Sequence, residues 1–233
     1  MVYDVGVNLA SCRGCVFCRL GCLAYWSGAV TMGGLEGCRD VERGGKRWWV
    51  ASFKSINDGM CESVLKDAIL EKSCDGIDLS CNSIGPEGAR VIAQVLEHHE
   101  TITEVDISAN AIGDHGAAYF SELIQNSSNI KFLDLHANQI TDQGASAIAA
   151  VLLGNESLED LDLSANYITD EGASHLAQAI KKNKTLKSIS LRSNDFTSIG
   201  QQVLLEAVEQ NDRITTIEGT DRMKAFETIC IIT

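Results

Sequence analysis

No apolar stretch of the chain reaches the ~18 residues that a bilayer-spanning helix needs, so no transmembrane segment is expected. The apolar start is interrupted by Arg13 and Arg19 and has no basic lead-in, which argues against a secretory signal. Basic residues are scarce too: 19 Lys and Arg stand against 32 Asp and Glu, for a formal net charge of -13. The imbalance is concentrated after residue 50, where 13 basic residues face 28 acidic ones, whereas residues 1–50 hold 6 basic and 4 acidic. A body so charged repels phosphate backbones and anionic lipid heads, which makes nucleic acid a poor partner and a basic protein surface a good one.

The signatures of catalysis are also missing. There is no Gly-rich phosphate loop and no nucleophile elbow. His98, His99, His115, His136 and His175 do not fall at metal-ligand spacing on one helix face. The nine Cys are an odd number, and in the body Cys61, Cys74 and Cys81 lie in or beside apolar runs, where thiols serve as small buried hydrophobes in a reducing compartment. Neither an enzyme nor a cofactor-bearing protein is expected, and the composition fits a soluble cytoplasmic one. Three Asn-X-Ser/Thr sites, at Asn126, Asn155 and Asn183, are read as helix-ending residues in the left-handed capping conformation rather than as glycosylation acceptors.

What the sequence does have is a period. Asn82, Asn110, Asn138, Asn166 and Asn194 recur every 28 residues, and Gly88, Gly116, Gly144, Gly172 and Gly200 follow each Asn by six. Before each Asn stands a segment alternating apolar and polar residues, such as Leu133-Asp-Leu-His and Leu161-Asp-Leu-Ser, which predicts a short strand with one buried face. After it come an apolar residue, a polar cluster, the Gly and then apolar positions at helical spacing: Ala145, Ile148, Ala149 and Leu152 in the fourth unit. Each unit therefore reads strand, turn, helix. Asp114, Asp142 and Asp170 precede the helices, where a carboxylate can cap free N–H groups. The Asn side chains are expected to form a ladder, because an amide can both donate to and accept from backbone groups that lose their partners where the strand turns.

These residues resemble the ribonuclease-inhibitor-like subfamily of leucine-rich repeats, whose pattern Leu158-Glu-Asp-Leu-Asp-Leu-Ser-Ala-Asn-Tyr-Ile-Thr-Asp-Glu-Gly-Ala follows through the strand and into the helix. The resemblance spans about residues 53–221. It implies an α/β solenoid, a curved horseshoe segment with a parallel sheet on the concave side and helices on the convex side. Members of the subfamily include nuclease inhibitors, innate immune sensors, activators of a small nuclear GTPase and actin-filament-capping proteins.

Domain boundaries follow from where the pattern holds. Residues 1–52 are read as a weakly ordered Cys-containing segment that does not continue the repeat, residues 53–221 as the repeat domain with its terminal caps, and residues 222–233 as a tail. Residues 57–71 predict an entry helix with Val64, Leu65, Ala68 and Ile69 inside, and Ile214-Thr-Thr-Ile-Glu-Gly predicts a last strand.

On the expected concave face, the residues between buried aliphatics form columns across the strands. The central one holds Asp78, Asp106, Asp134, Asp162, Ser190 and Glu218. It is flanked by Gly76, Glu104, Phe132, Asp160 and Ser188, and by Ser80, Ser108, His136, Ser164 and Arg192. Glu104, Asp106, Phe132, Asp134, His136, Asp160, Asp162 and Arg192 are the candidate partner-binding residues: a negative stripe to dock a cationic surface, with Phe132 as an aromatic anchor. The alternative is that the Asp residues are a feature of the repeat, softened by solvation and neighbouring Ser hydroxyls.

Two Cys motifs lie outside the repeat. Cys12, Cys15, Cys18 and Cys22 have the spacing of a ferredoxin iron–sulfur run, but Leu23 stands where the usual Pro would be and no second run exists, so no metal is expected. A zinc site or a palmitoylated anchor are the alternatives. Cys230-Ile231-Ile232-Thr233 has the form of a prenylation signal that would give peripheral membrane anchoring, though Thr is not a preferred final residue and the same apolar side chains could cap the solenoid. Functionally, the sequence points to a protein-binding scaffold or inhibitor acting through its concave face. A regulator of a small GTPase is a second reading, weakened by the lack of a long acidic tail after Asp221, and a cytoskeletal or axonemal component a third.

Overall fold

A computed structural model of the chain describes residues 39–71 and 74–219, with the backbone alone for 39–41 and 67–71. Among these residues eight strands form a single open sheet in chain order. They are β1 (Arg39–Arg43), β2 (Lys46–Val50), β3 (Gly76–Asp78), β4 (Glu104–Asp106), β5 (Phe132–Asp134), β6 (Asp160–Asp162), β7 (Ser188–Ser190) and β8 (Thr216–Glu218). From β2 onward the pairing is parallel and each step advances the register by one repeat, so that Ile77, Val105, Leu133, Leu161 and Ile189 lie side by side. All five are buried, as are Leu79, Ile107, Leu135, Leu163 and Leu191 two positions on. Alternation has therefore put one face of every strand into the core.

The helices between the strands supply the other wall. They are α1 (Cys61–Glu71), α2 (Pro86–Glu97), α3 (Gly113–Asn126), α4 (Asp142–Leu152), α5 (Asp170–Lys182) and α6 (Ser198–Glu209). Their apolar stripes face the sheet: Ala145, Ile148, Ala149 and Leu152 of α4 are all buried. The α/β solenoid implied by the resemblance is what the described residues form. Val64 and Leu65 of α1 lie in the core as anticipated, behind a short 3-10 turn at Asp58–Met60. Cys61 and Cys74 are buried there too, and burial, with Asp58 nearby, pushes the Cys61 thiol up to about 11, which keeps it protonated.

The boundary expected at residue 52 does not hold. β2 pairs with β3 in repeat register, Trp49 opposite Ile77, and Trp49 and Ala51 are buried in the same core. Phe53 takes the left-handed conformation (φ 57°) that Cys81, Ala109, Ala137, Ala165 and Ser193 take at each later turn. Residues 46–58 are thus a degenerate first repeat whose Asn position is Lys54. Gly44 and Gly45 both have positive φ and join β1 to β2 through the two-residue turn that such pairs favour. The adjacent Gly and Trp pairs, unpatterned in sequence, are a hairpin turn and a strand. Residues 1–38 and 220–233 lie outside the described residues, and with them Cys12, Cys15, Cys18, Cys22, Cys230 and the segment read as a tail.

Three hydrogen-bond ladders tie the repeats together. The first is the expected one: Asn166 donates to the Leu135 carbonyl of the preceding repeat (3.0 Å) and the Leu163 carbonyl of its own (3.0 Å), and accepts from the amides of Asn138 (2.9 Å) and Ile140 (3.0 Å). Asn82, Asn110, Asn138 and Asn194 make corresponding contacts. Because Asn166 is almost wholly buried, Asn166→Ala leaves backbone groups without partners and is expected to cost about 1–3 kcal/mol in urea unfolding. The exposed Asn126→Ala serves as the control, and equal midpoints for the two variants would remove the ladder's energetic role.

A second ladder, at the helix-to-strand side, replaces the caps expected at Asn155 and Asn183. Asn155 and Asn183 do not cap helices in the left-handed conformation; Asn183 has extended backbone (φ -63°, ψ 140°). Its side chain instead donates to the carbonyls of Leu152 (2.7 Å) and Asn155 (3.1 Å) and accepts from the amides of Thr185 and Leu186. Asn155 and Asn211 do the same one repeat before and after. The register residue of the third repeat is Ser127, whereas Asn126 is an exposed helix-end residue bonded to Glu97.

The third ladder concerns the helix caps. Thr141, Thr169 and Thr197 cap their own helices. The carboxylates of Asp114, Asp142 and Asp170, expected to cap the helix they begin, reach forward to the next one: Asp142 accepts from the Thr169 amide (2.7 Å), the Thr169 hydroxyl (2.6 Å) and the Gly172 amide (2.9 Å). This explains the invariant spacing of Gly172, whose Cβ would stand 2.5 Å from Asp142 Oδ1.

Candidate protein-binding site on the concave face

The strand pairings bring two of the expected columns together, and backbone bonds just beyond the strands, such as Ala137 N–H to the Ser164 carbonyl (2.9 Å), carry the third. Glu104, Phe132, Asp160 and Ser188 are aligned partners, as are Asp78, Asp106, Asp134, Asp162 and Ser190. Strands about 4.8 Å apart thus stack four carboxylates on one face. Each is held by its own strand: Asp106 Oδ1 accepts from the Ser108 amide (3.0 Å) and hydroxyl (2.7 Å), and Asp162 Oδ1 from the amide and hydroxyl of Ser164. Asp134 accepts from the His136 amide (2.8 Å). One oxygen of each carboxylate is therefore a local brace, which gives the Asp-X-Ser pattern a structural role beside any functional one.

The column is not uniformly charged. Burial, and then the facing carboxylates of Asp106 and Asp162, push Asp134 up to about 8. Asp106 is raised by burial and by Asp78, and Asp160 by burial and Glu159. Near neutral pH Asp134 is held largely as the neutral acid. At the N-terminal end the hairpin supplies cations: Arg43 pairs with Asp78 Oδ2 at 2.9 Å and Lys46 with Glu104 at 2.5 Å. At the other end Arg192 pairs with Glu218 at 3.1 Å.

His136 is fixed by a relay. The single Ser164 hydroxyl proton goes to Asp162, so His136 Nδ1, 2.8 Å from Ser164 Oγ, must be the donor. Its Nε2 is then a lone-pair acceptor, shielded from solvent and without a protein partner. Burial lowers the affinity of the ring for a second proton.

Sequence reasoning missed Trp48, Arg43 and Lys46, because the hairpin was assigned to a segment outside the array. Trp48 occupies the column of Glu104 and Phe132 one strand before Gly76, and its indole lies over Gly76, whose Cβ would stand 2.7 Å from Trp48 Cδ2. The ring reaches Phe132 edge-on, centroids 6.4 Å apart, and carries the Arg43 guanidinium 5.0 Å from its centroid.

The repeat segments 77–93, 98–121, 126–149, 154–177 and 182–204 match the family model described as Leucine Rich repeat. The chain is a leucine-rich-repeat protein. Solved structures agree on its fold. The actin-binding site 2 of leiomodin-1 aligns with 59% of the leucine-rich-repeat chain and 80% of its own at TM-score 0.51 and 19% identity. The C-terminal domain of Caenorhabditis elegans tropomodulin aligns with 58% and 84% at TM-score 0.50 and 16% identity. No curated protein matches the sequence. Among the described residues no helix is long and apolar enough to cross a membrane, and no group of three metal-ligating side chains occurs.

Proposed function

We propose that this leucine-rich-repeat protein is a binding scaffold or inhibitor, of the ribonuclease-inhibitor-like kind and acting in the cytoplasm, that holds a basic protein surface on its concave face. The observation that carries the reading is the composition of that face. Asp106, Asp134 and Asp162 each spend one carboxylate oxygen on their own strand and leave the other without a donor among the described residues, around the half-exposed aromatic ring of Phe132. Glu104, Asp160 and His136 border the same patch, and Arg192 closes it. Such a surface combines an anchor with charge complementarity. With the carboxylates on an open sheet and no phosphate loop or nucleophile elbow in the sequence, the reading is binding rather than catalysis.

Affinity capture from cell lysate with the intact chain and with an Asp106→Asn, Asp134→Asn, Asp162→Asn triple variant tests this. Partners retained by the wild type and lost from the variant are expected, and identical partner sets would overturn the proposal. The fold shared with a leiomodin-1 actin-binding site favours a cytoskeletal partner over a small GTPase as the alternative, and actin among the captured proteins is its signature.

A further inference from the structure

The hairpin shows how this face takes a guanidinium. Arg43 sits over the Trp48 ring and pairs with Asp78, the residue two positions along on the next strand. Aromatic and carboxylate are thus 30 residues apart, in the first column of one strand and the central column of its neighbour. Three repeats on, the same two register positions are Phe132 and Asp162. Phe132 is half-exposed, and Asp162 has one oxygen tied to Ser164 and none of the described cations on the other. Between the two sets Lys46 holds Glu104. The face therefore carries a row in which a cation meets Trp48 and Asp78, a second meets Glu104, and the third set stands without one.

His136 borders this set with its ring held by Ser164, and Ser52 has the same register position in the first set. A guanidinium presents five N–H donors in a plane, enough to stack on an aromatic ring while bonding a carboxylate. An ammonium lacks the flat face, and an uncharged urea group lacks the charge.

We propose that Phe132 and Asp162 form an arginine-binding subsite, filled by an arginine side chain of the partner in the way Arg43 fills the set at Trp48 and Asp78. The proposal rests on the concave-face reading and narrows it to an arginine-bearing segment. It also makes the β1–β2 hairpin an internal copy of the ligand, covering the N-terminal end of the face so that a partner is directed to the strands from β4 onward.

The test is an NMR titration of the full chain at pH 7 with the peptide acetyl-Gly-Arg-Gly-amide and its lysine and citrulline counterparts. The arginine peptide is expected to shift the His136 and Phe132 signals and to bind about tenfold more tightly than the lysine peptide, with no saturable shift from citrulline. Phe132→Ala and Asp162→Asn should each weaken it about tenfold while leaving the amide spectrum of the helices in place. Equal affinity for arginine and lysine, shifts centred away from β5 and β6, or no effect of either substitution would each overturn the subsite. Loss of captured partners in the triple variant together with no arginine-peptide binding would sink the subsite and leave the broader proposal standing.

Discussion

Trp49→Ala is expected to destabilise the protein by about 3–5 kcal/mol, the range for emptying a large buried aromatic site. Trp49 is the counterpart of Ile77 one strand earlier and is 2% exposed. With Ala51 it covers the end of the core that Ile77 and Leu79 would otherwise show to water, which is what a terminal unit of a stack must do. Deleting residues 1–50 removes this cover along with the Arg43–Asp78 and Lys46–Glu104 pairs, and should cost at least as much. Urea unfolding followed by circular dichroism checks both, and a truncated chain with a wild-type midpoint would show that the array begins at β3.

Stability should fall as pH rises from 7 to 9, and Asp134→Asn should remove most of the fall. Asp134 is raised to about 8 in the folded chain from an ordinary value of 3.8, because it is buried between Asp106 and Asp162 with Asp78 beyond. A carboxyl raised on folding favours the folded state fully below its unfolded value, and the advantage is lost as pH climbs through the folded value. Asp106 acts in the same direction. His99 and His136, both lowered by burial, titrate below this window, and the lowered Asp170 and Glu159 lower still. The expected loss between pH 7 and 9 is about 1–2 kcal/mol, and at pH 9 the Asn variant should exceed the wild type by about 2–4 kcal/mol. Thermal melts of both proteins across that range provide the measurement. Parallel curves would mean that Asp134 ionises in the folded state as it does in the unfolded one.

Much of the site was legible before the fold was known. Alternation at fixed period puts Glu104, Phe132 and Asp160 in one column and Asp106, Asp134 and Asp162 in the next without any knowledge of their environment, and the pairings have that register. What periodicity cannot report is which bonds a side chain makes across repeats. Asp142 was placed at the start of α4, but a carboxylate at that point is closer to the amides of the following helix, and so it braces α5. Asn183 stood at the end of a helix in sequence, yet its amide turns inward to the carbonyls of the preceding repeat. A signal for it existed in the 28-residue spacing of Asn155, Asn183 and Asn211.

By itself the sequence determined the repeat, its strand–turn–helix order, the core and the columns of the concave face. All of these follow from local periodicity, and a translational stack copies local geometry along the chain. Only the tertiary structure decided where the stack begins, because Trp48 and Trp49 match the repeat in burial and register rather than in residue type. It also decided the state of the concave face. Whether Asp134 holds a proton, and whether Arg43 lies on Asp78, depend on strands distant in sequence meeting in a partly dry space, and that proximity has no period to be read.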